Sequence, residues 1–181
     1  MPKAYLSEIS DVAIKAVRTR VRDYLSVNSL VLSRGKSRLG QQSRVESVSR
    51  EALATIVSYA EGACADLLIE AFPQVTVDEV FSWPKKEKAW QVHASVNLHV
   101  DVPTYAQLLG FVQARNAIMH NDGQLTQKQL EWNAKEDGAL TKAIRDVGIE
   151  QYGPLLRIST ENVLDCSEVC VRFIREIDLL I

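Results

Sequence analysis

An arginine and a histidine near the middle of the chain are of the residue types that phosphate chemistry requires. In the segment QARNAIMHNDG, Arg115 is followed directly by Asn116 and, after four intervening residues, by His120. A guanidinium binds phosphate through its forked N–H donors, and an imidazole can accept and return a proton near neutral pH. His120 stands in the last turn of a predicted helix, close to the carbonyl end of the helix dipole. These side chains could together bind a phosphodiester and transfer protons at it.

The helix that carries these residues is predicted to begin at Pro103 or Thr104 and to end at the turn Asn121-Asp122-Gly123. Projection at about 100° per residue places Arg115 in the middle of an apolar face. The members of that face are Leu108, Phe111, Val112, Ile118 and Met119. An unpaired buried guanidinium would be costly, so an anion or a set of acceptors must meet it.

Three partners for Arg115 remain open: a carboxylate of the preceding long helix, a symmetry-related chain, or a bound phosphate. Glu61 is the leading carboxylate, because it lies at the edge of that helix's apolar stripe. Asn116 is four residues before His120 and lies on the same side of its helix, within reach of the ring or of a shared ligand. Arg115 and His120 diverge by about 140° around the axis, so two helices packed about a two-fold axis would be needed to bring them together.

The spacing of Arg115, Asn116 and His120 resembles the signature of the HEPN superfamily. These are small helical domains marked by an arginine, four to six intervening residues and a histidine, often with a polar residue directly after the arginine. The resemblance covers most of the chain, from Val45 to Ile181, because a long helix with the polar edge residue Glu61 precedes the motif and an amphipathic helix closes the sequence. It implies a HEPN-like helical bundle.

The resemblance further implies a metal-independent endoribonuclease that works as a homodimer, without a cofactor, in a cleft where both motifs meet. Arg115, Asn116 and His120 would be the catalytic residues, and Glu61 would support Arg115. RNA would be the substrate, and a toxin or phage-defence role would bring a cognate antitoxin or immunity protein as partner. The alternative is a non-catalytic helical dimer that binds RNA or protein. In one subgroup a tyrosine commonly stands where this chain has Asp122, so control through modification of that tyrosine is not expected.

A basic segment is the largest charge feature of the chain. From Lys15 to Arg44 there are eight basic residues against the single acid Asp23. The stretch of about 30–44, LVLSRGKSRLGQQSR, has glycines and serines without periodicity and is predicted to be a loop. The segment is interpreted either as a solvated helix face with a loop or as an arm that attracts phosphates. In the second interpretation, the RNA-binding side chains are Arg34, Lys36 and Arg38.

The remaining pattern is mainly helical, with one minor two-stranded β element. Helices are predicted at Ser10 to Asn28, Val45 to Phe72, about 77–81, Thr126 to Trp132, Leu140 to Val147, and from Ser159 or Thr160 to the C-terminus. Gln91 to Val100 alternates strictly between apolar and polar residues and is predicted to be a strand paired with Leu155 to Ser159. His93 and His99 would lie roughly 20 Å apart on that strand, which excludes a shared metal.

Composition bounds the class of protein. A chain of 181 residues with 46% hydrophobic residues and a net charge of −2 is predicted to form one domain, 1–181, with no global charge favouring nucleic acid. Cys64, Cys166 and Cys170 fall at apolar positions of helices without zinc-site spacing and are interpreted as reduced core residues. Neither a secretory signal nor an apolar run of about 20 residues is recognised, so no membrane contact and a cytoplasmic location are expected.

Overall fold

The computed structural model describes residues 5–34 and 38–181, without the side chains of 33–34 and 38–42. The described chain is mainly helical with a small two-stranded antiparallel sheet, which confirms the predicted fold class. In chain order the elements are α1 (Glu8–Arg34), α2 (Arg38–Ala71), a 3-10 turn (Val77–Glu79), α3 (Trp83–Ala89), a π-helical turn (Trp90–Ala94), α4 (Leu98–Asp101), α5 (Tyr105–Asn121), α6 (Gln127–Lys135), α7 (Ala139–Asp146), β1 (Glu150–Tyr152), β2 (Leu155–Arg157) and α8 (Thr160–Asp178).

Helix α2 is the centre of the bundle and packs against α1, α5 and α8. Its predicted apolar stripe is buried throughout, with Leu53, Ile56, Val57, Ala60, Cys64, Leu67 and Leu68 all in the core. The stripe predicted for α8 is buried as well: Val163, Cys166, Cys170, Phe173, Ile174 and Ile177. Removal of these side chains from water provides the main driving force for folding, and α5 packs against both helices.

The predicted loop at about 30–44 is wrong for the residues that the structure describes, because α1 continues to Arg34 and α2 already begins at Arg38. Asn28 does not end α1, since its side chain is buried and donates to the hydroxyl of Thr160 at 3.1 Å. Lys36 lies outside the described residues, and so do the side chains of Arg34 and Arg38. Their RNA-binding role therefore stays a prediction.

The predicted strand Gln91 to Val100 is also wrong. The chain forms the π-helical turn Trp90–Ala94 here and then the short helix α4. Trp90 is completely buried and its indole N–H donates to the carbonyl of Cys64 at 3.1 Å, which pulls the start of the segment into the core. Two apolar members of the alternation are largely exposed, Val92 at 63% and Val100 at 74%. The alternation of apolar and polar residues in this segment therefore does not mark a buried face of a sheet.

The small sheet is a hairpin in which β2 pairs with β1, so the strand near Leu155 is confirmed but its partner is Glu150–Tyr152. Tyr152 pairs with Leu155 across a turn in which Gly153 has a φ of 60°. The chain that follows α5 joins this hairpin, because Leu156 N–H donates to the Gly123 carbonyl at 2.9 Å and Leu125 N–H to the Pro154 carbonyl at 2.7 Å. The hairpin therefore fixes the path of the chain beyond the end of α5.

The predicted ends of α5 are confirmed. Thr104 precedes the helix, and both its N–H and its hydroxyl donate to Glu176 of α8, at 3.1 and 2.5 Å. At the other end Asp122 adopts the left-handed conformation with a φ of 48° and its N–H donates to the Ala117 carbonyl. Aspartate tolerates that conformation better than most residues. At the start of α6, Thr126 and Gln129 form a capping box.

One segment of the described chain, Ser43–Ala71, is long and apolar enough to cross a membrane by length and composition alone. The expected absence of membrane contact stays a prediction. In the structure, however, 56% of the apolar window is buried inside the protein. The segment belongs to α2, and a helix at the centre of a bundle meets the same criterion because several of its faces are apolar.

Two glycines of the bundle are expected to respond in opposite ways to replacement by alanine. A Cβ at Gly110 would lie 2.5 Å from the carbonyl oxygen of Ala143 and 2.9 Å from a methyl of Val147, because α5 and α7 approach each other there. Gly110→Ala should therefore lower the free energy of unfolding by about 1–3 kcal/mol. A Cβ at Gly62 would meet nothing within 4 Å, so Gly62→Ala should raise it by about 0.5–1 kcal/mol. Urea unfolding measures both, and equal effects would contradict the close approach.

Candidate active site

Arg115 lies on the buried face of α5 but is itself only partly buried. Leu108, Phe111 and Val112 are buried as predicted, but Met119 is 58% exposed and Ile118 only partly buried. The small residues Ala114 and Ala117 complete the buried face instead. The Arg115 side chain is 24% exposed, so part of it can be reached from solvent.

Glu61, the predicted carboxylate, and Asn116, which was predicted to lie toward His120, hold the Arg115 guanidinium. One terminal nitrogen, Nη2, lies 3.5 Å from Oε2 of Glu61, and the other, Nη1, donates to Oδ1 of Asn116 at 3.1 Å. Among the described residues its Nε atom is buried and has no hydrogen-bond partner. The structure therefore places Glu61 beside Arg115 as the sequence predicted, adds Asn116, and leaves the buried Nε–H donor without a partner.

Arg115 is not the only cation that Glu61 pairs with, because the Glu61 carboxylate also faces Lys86. Its other oxygen, Oε1, lies 3.3 Å from Nζ of Lys86, and the Lys86 side chain is only 3% exposed. The ammonium group also lies 5.5 Å from the centre of the Trp83 ring. One carboxylate is thus shared by two cations, and the group carries one net positive charge in a poorly solvated position. Such a group attracts anions.

Asn116 and His120 are not joined by a hydrogen bond within the described part of the chain. The Asn116 amide oxygen is taken by Arg115, so Asn116 orients the guanidinium and not the imidazole. His120 is exposed in the last turn of α5. The His120 side chain is therefore accessible to a ligand or to a second copy of the chain.

A second guanidinium stands at the end of α5. Nη1 of Arg50, on α2, donates to the carbonyl oxygen of Asp122 at 3.0 Å and lies 3.4 Å from the Asp122 carboxylate. The Arg50 side chain is 17% exposed, and its Nε would lie 2.8 Å from a Cβ built on Gly123, so only glycine fits there without a shift. Arg50 therefore fixes the turn that directly follows His120.

Sequence reasoning missed Lys86 and Arg50. No helix was predicted between about 81 and 91, whereas Pro84 occupies the first turn of α3, where proline is well tolerated. With that helix recognised, the spacing of Trp83 and Lys86 would have placed the ammonium over the indole ring. Arg50 left no comparable signal, because its main acceptor is a main-chain carbonyl distant in the sequence.

The other candidate groups of the sequence lie elsewhere or are unreactive. Burial raises the pKa of the Cys64 thiol to about 12, so this neighbour of the Lys86–Glu61 pair is neither a nucleophile nor a source of negative charge. All three cysteines are free and buried, as predicted. His93 lies beside Glu79 and His99 beside Glu87, at 3.4 and 3.3 Å. No group of three or more metal-ligating side chains occurs in residues 5–34 and 38–181.

Comparison with protein-family models, with curated proteins and with solved structures gives no match. What the site does has therefore to be inferred from its own geometry and chemistry.

Proposed function

We propose that this chain is a HEPN-type, metal-independent endoribonuclease that cleaves RNA by attack of a ribose 2′-OH on the adjacent phosphate. The observation that carries the proposal is the incompletely neutralised Arg115. Its guanidinium is oriented by Glu61 and Asn116, it shares the Glu61 carboxylate with Lys86, and it is still partly exposed. A preorganised cation of this kind stabilises the additional negative charge that a phosphate acquires in the transition state.

The reaction assigns one task to each side chain. A base removes the proton of the 2′-OH, the oxygen attacks phosphorus, and an acid protonates the departing 5′-oxygen. Arg115 binds the non-bridging phosphate oxygens, and Asn116 keeps the guanidinium in position. His120, exposed at the end of the same helix, is the residue for proton transfer. The products are a 2′,3′-cyclic phosphate and a free 5′-hydroxyl.

A second copy of the chain completes this site in the proposal. Each chain has one His120, whereas the reaction uses both a base and an acid. Arg115 and His120 also leave their helix in directions about 140° apart, so the two side chains of one chain do not converge on a single phosphate. A homodimer with α5 near its two-fold axis supplies two histidines and two arginines to one cleft. An antitoxin or immunity partner stays a prediction.

The proposal is tested by incubating the purified protein with a labelled single-stranded RNA in excess EDTA and, in parallel, with Mg²⁺. We expect comparable cleavage in both and products that end in a 2′,3′-cyclic phosphate, because the 2′-OH is the nucleophile and needs no metal. The matched control substrate is the same oligonucleotide with 2′-deoxyribose throughout, which should remain intact.

Strict dependence on Mg²⁺, or cleavage of the deoxy control, would contradict the proposed chemistry. Binding of RNA without cleavage under either condition would instead support the alternative, a non-catalytic RNA-binding dimer. Size-exclusion chromatography with light scattering measures the mass beside that of the 20.2 kDa chain, and a monomer under cleaving conditions would contradict the composite site.

A further inference from the structure

Lys86 is the most deeply buried charged side chain of the cluster around Arg115. It lies in α3, its side chain is 3% exposed, and its ammonium group stands between the Glu61 carboxylate and the Trp83 ring. In the described part of the chain, Glu61 is its only carboxylate partner within 4 Å. An ammonium in such a position is costly unless it is paired, so Lys86 must draw on the charge of Glu61.

Glu61 consequently has less charge to offer Arg115. Its oxygens divide between the two cations, with Oε1 at 3.3 Å from Lys86 and Oε2 at 3.5 Å from Arg115. Lys86 itself cannot meet a ligand because it is buried, whereas the Arg115 side chain is 24% exposed. The uncompensated positive charge is therefore available to an anion only at Arg115.

We propose that Lys86 is a positioning residue that acts through Glu61 to keep Arg115 available for the phosphates of a single-stranded polynucleotide. This inference rests on the proposed function for the identity of the ligand. With Lys86 present, Glu61 orients the guanidinium without cancelling its charge. Without Lys86, Glu61 becomes a full counter-ion of Arg115, and the phosphate has to compete with it.

The test measures binding of a fluorescently labelled single-stranded DNA oligonucleotide, which has the phosphates but lacks the 2′-OH and is not cut. Lys86→Met should weaken binding about five- to tenfold at low salt and make its salt dependence shallower, because one net charge is lost from the site. The matched control is Lys85→Met, which removes the same charge from an exposed side chain of the same helix. It should change binding by less than about twofold.

A double variant separates the effect of charge from that of structure. In Lys86→Met with Glu61→Gln, the glutamine still offers an oxygen to Arg115 but no charge, so binding should return to within about twofold of wild type. Unchanged binding in Lys86→Met, or no recovery in the folded double variant, would overturn the proposal. Should Lys86→Met fail to fold, Lys86→Gln supports the same comparison.

Failure of this inference is distinguishable from failure of the proposed nuclease. Suppose that the wild type binds the DNA and that Lys86→Met weakens this binding, but that RNA is never cleaved. This result would refute the catalytic proposal and leave the charge-sharing proposal intact. A protein that cleaves RNA while Lys86→Met binds normally refutes the charge sharing alone. Absence of DNA binding by the wild type refutes the inference as well, because Arg115 would then not be a phosphate site.

Discussion

Replacement of His120 by alanine is expected to reduce RNA cleavage at least about 10³-fold, because general acid and general base catalysis are lost together when both copies lack the imidazole. The free energy of unfolding should stay within about 0.5 kcal/mol of wild type. The side chain is exposed, and it makes no hydrogen bond to the residues that the structure describes. Initial cleavage rates and urea unfolding of the same preparations measure the two quantities.

The control for this variant is His99→Ala. The His99 side chain is 56% exposed, and it pairs with Glu87 on a different part of the surface, so its removal should leave cleavage within about twofold. A His120→Ala protein that cleaves as fast as wild type would remove His120 from the mechanism. Equal losses in both variants would show a nonspecific effect of histidine replacement.

Arg115→Ala is expected to reduce cleavage by about 10²–10³-fold, because the cation that meets the phosphate is gone. Its effect on stability should be modest for an ion-paired residue, about 1–2 kcal/mol in the free energy of unfolding. The reason is that Glu61 keeps Lys86 as a partner after the change, so no charge is left buried alone. Arg115→Lys should retain most of the stability but not the rate, since an ammonium lacks the forked donors.

Glu61→Ala provides the contrast. It removes the carboxylate that Lys86 and Arg115 share and leaves two cations facing each other, so it should destabilise the fold by about 3–5 kcal/mol. Urea unfolding of the two alanine variants tests the sharing of the carboxylate directly. If Arg115→Ala were the more destabilising of the two, Glu61 would belong chiefly to Arg115.

The parts of the fold that were predictable are those in which a long helix buries one continuous stripe. The core residues of α2 and α8 and both ends of α5 follow from spacing and capping residues, since a helical period repeated over several turns is incompatible with a strand or a loop. Glu61 could be named in advance as the leading carboxylate for Arg115 for a related reason. A charged residue on an apolar face needs a partner, and a polar residue at the edge of the facing helix's apolar stripe is within reach.

The failures arose where contacts distant in the sequence decide the local structure. Burial of Trp90 against α2 overrides the alternating pattern that follows it, and the buried Asn28 side chain carries α1 past a residue that often ends helices. Pro84 begins a helix instead of interrupting one, which concealed Lys86. In each case the partner lies on another element, so no local pattern could have shown it.

Sharing of one carboxylate by Lys86 and Arg115 also means that thermal stability and the proposed ligand binding place opposite demands on this cluster. A group with one surplus charge in a poorly solvated place is less stable than a neutral pair or an apolar contact. Selection for thermal stability alone should therefore favour apolar residues in place of Lys86. The selected variants should have a higher free energy of unfolding and a lower affinity for a polynucleotide. A natural sequence that keeps a basic residue at this position would be one in which selection for ligand binding is stronger than selection for thermal stability.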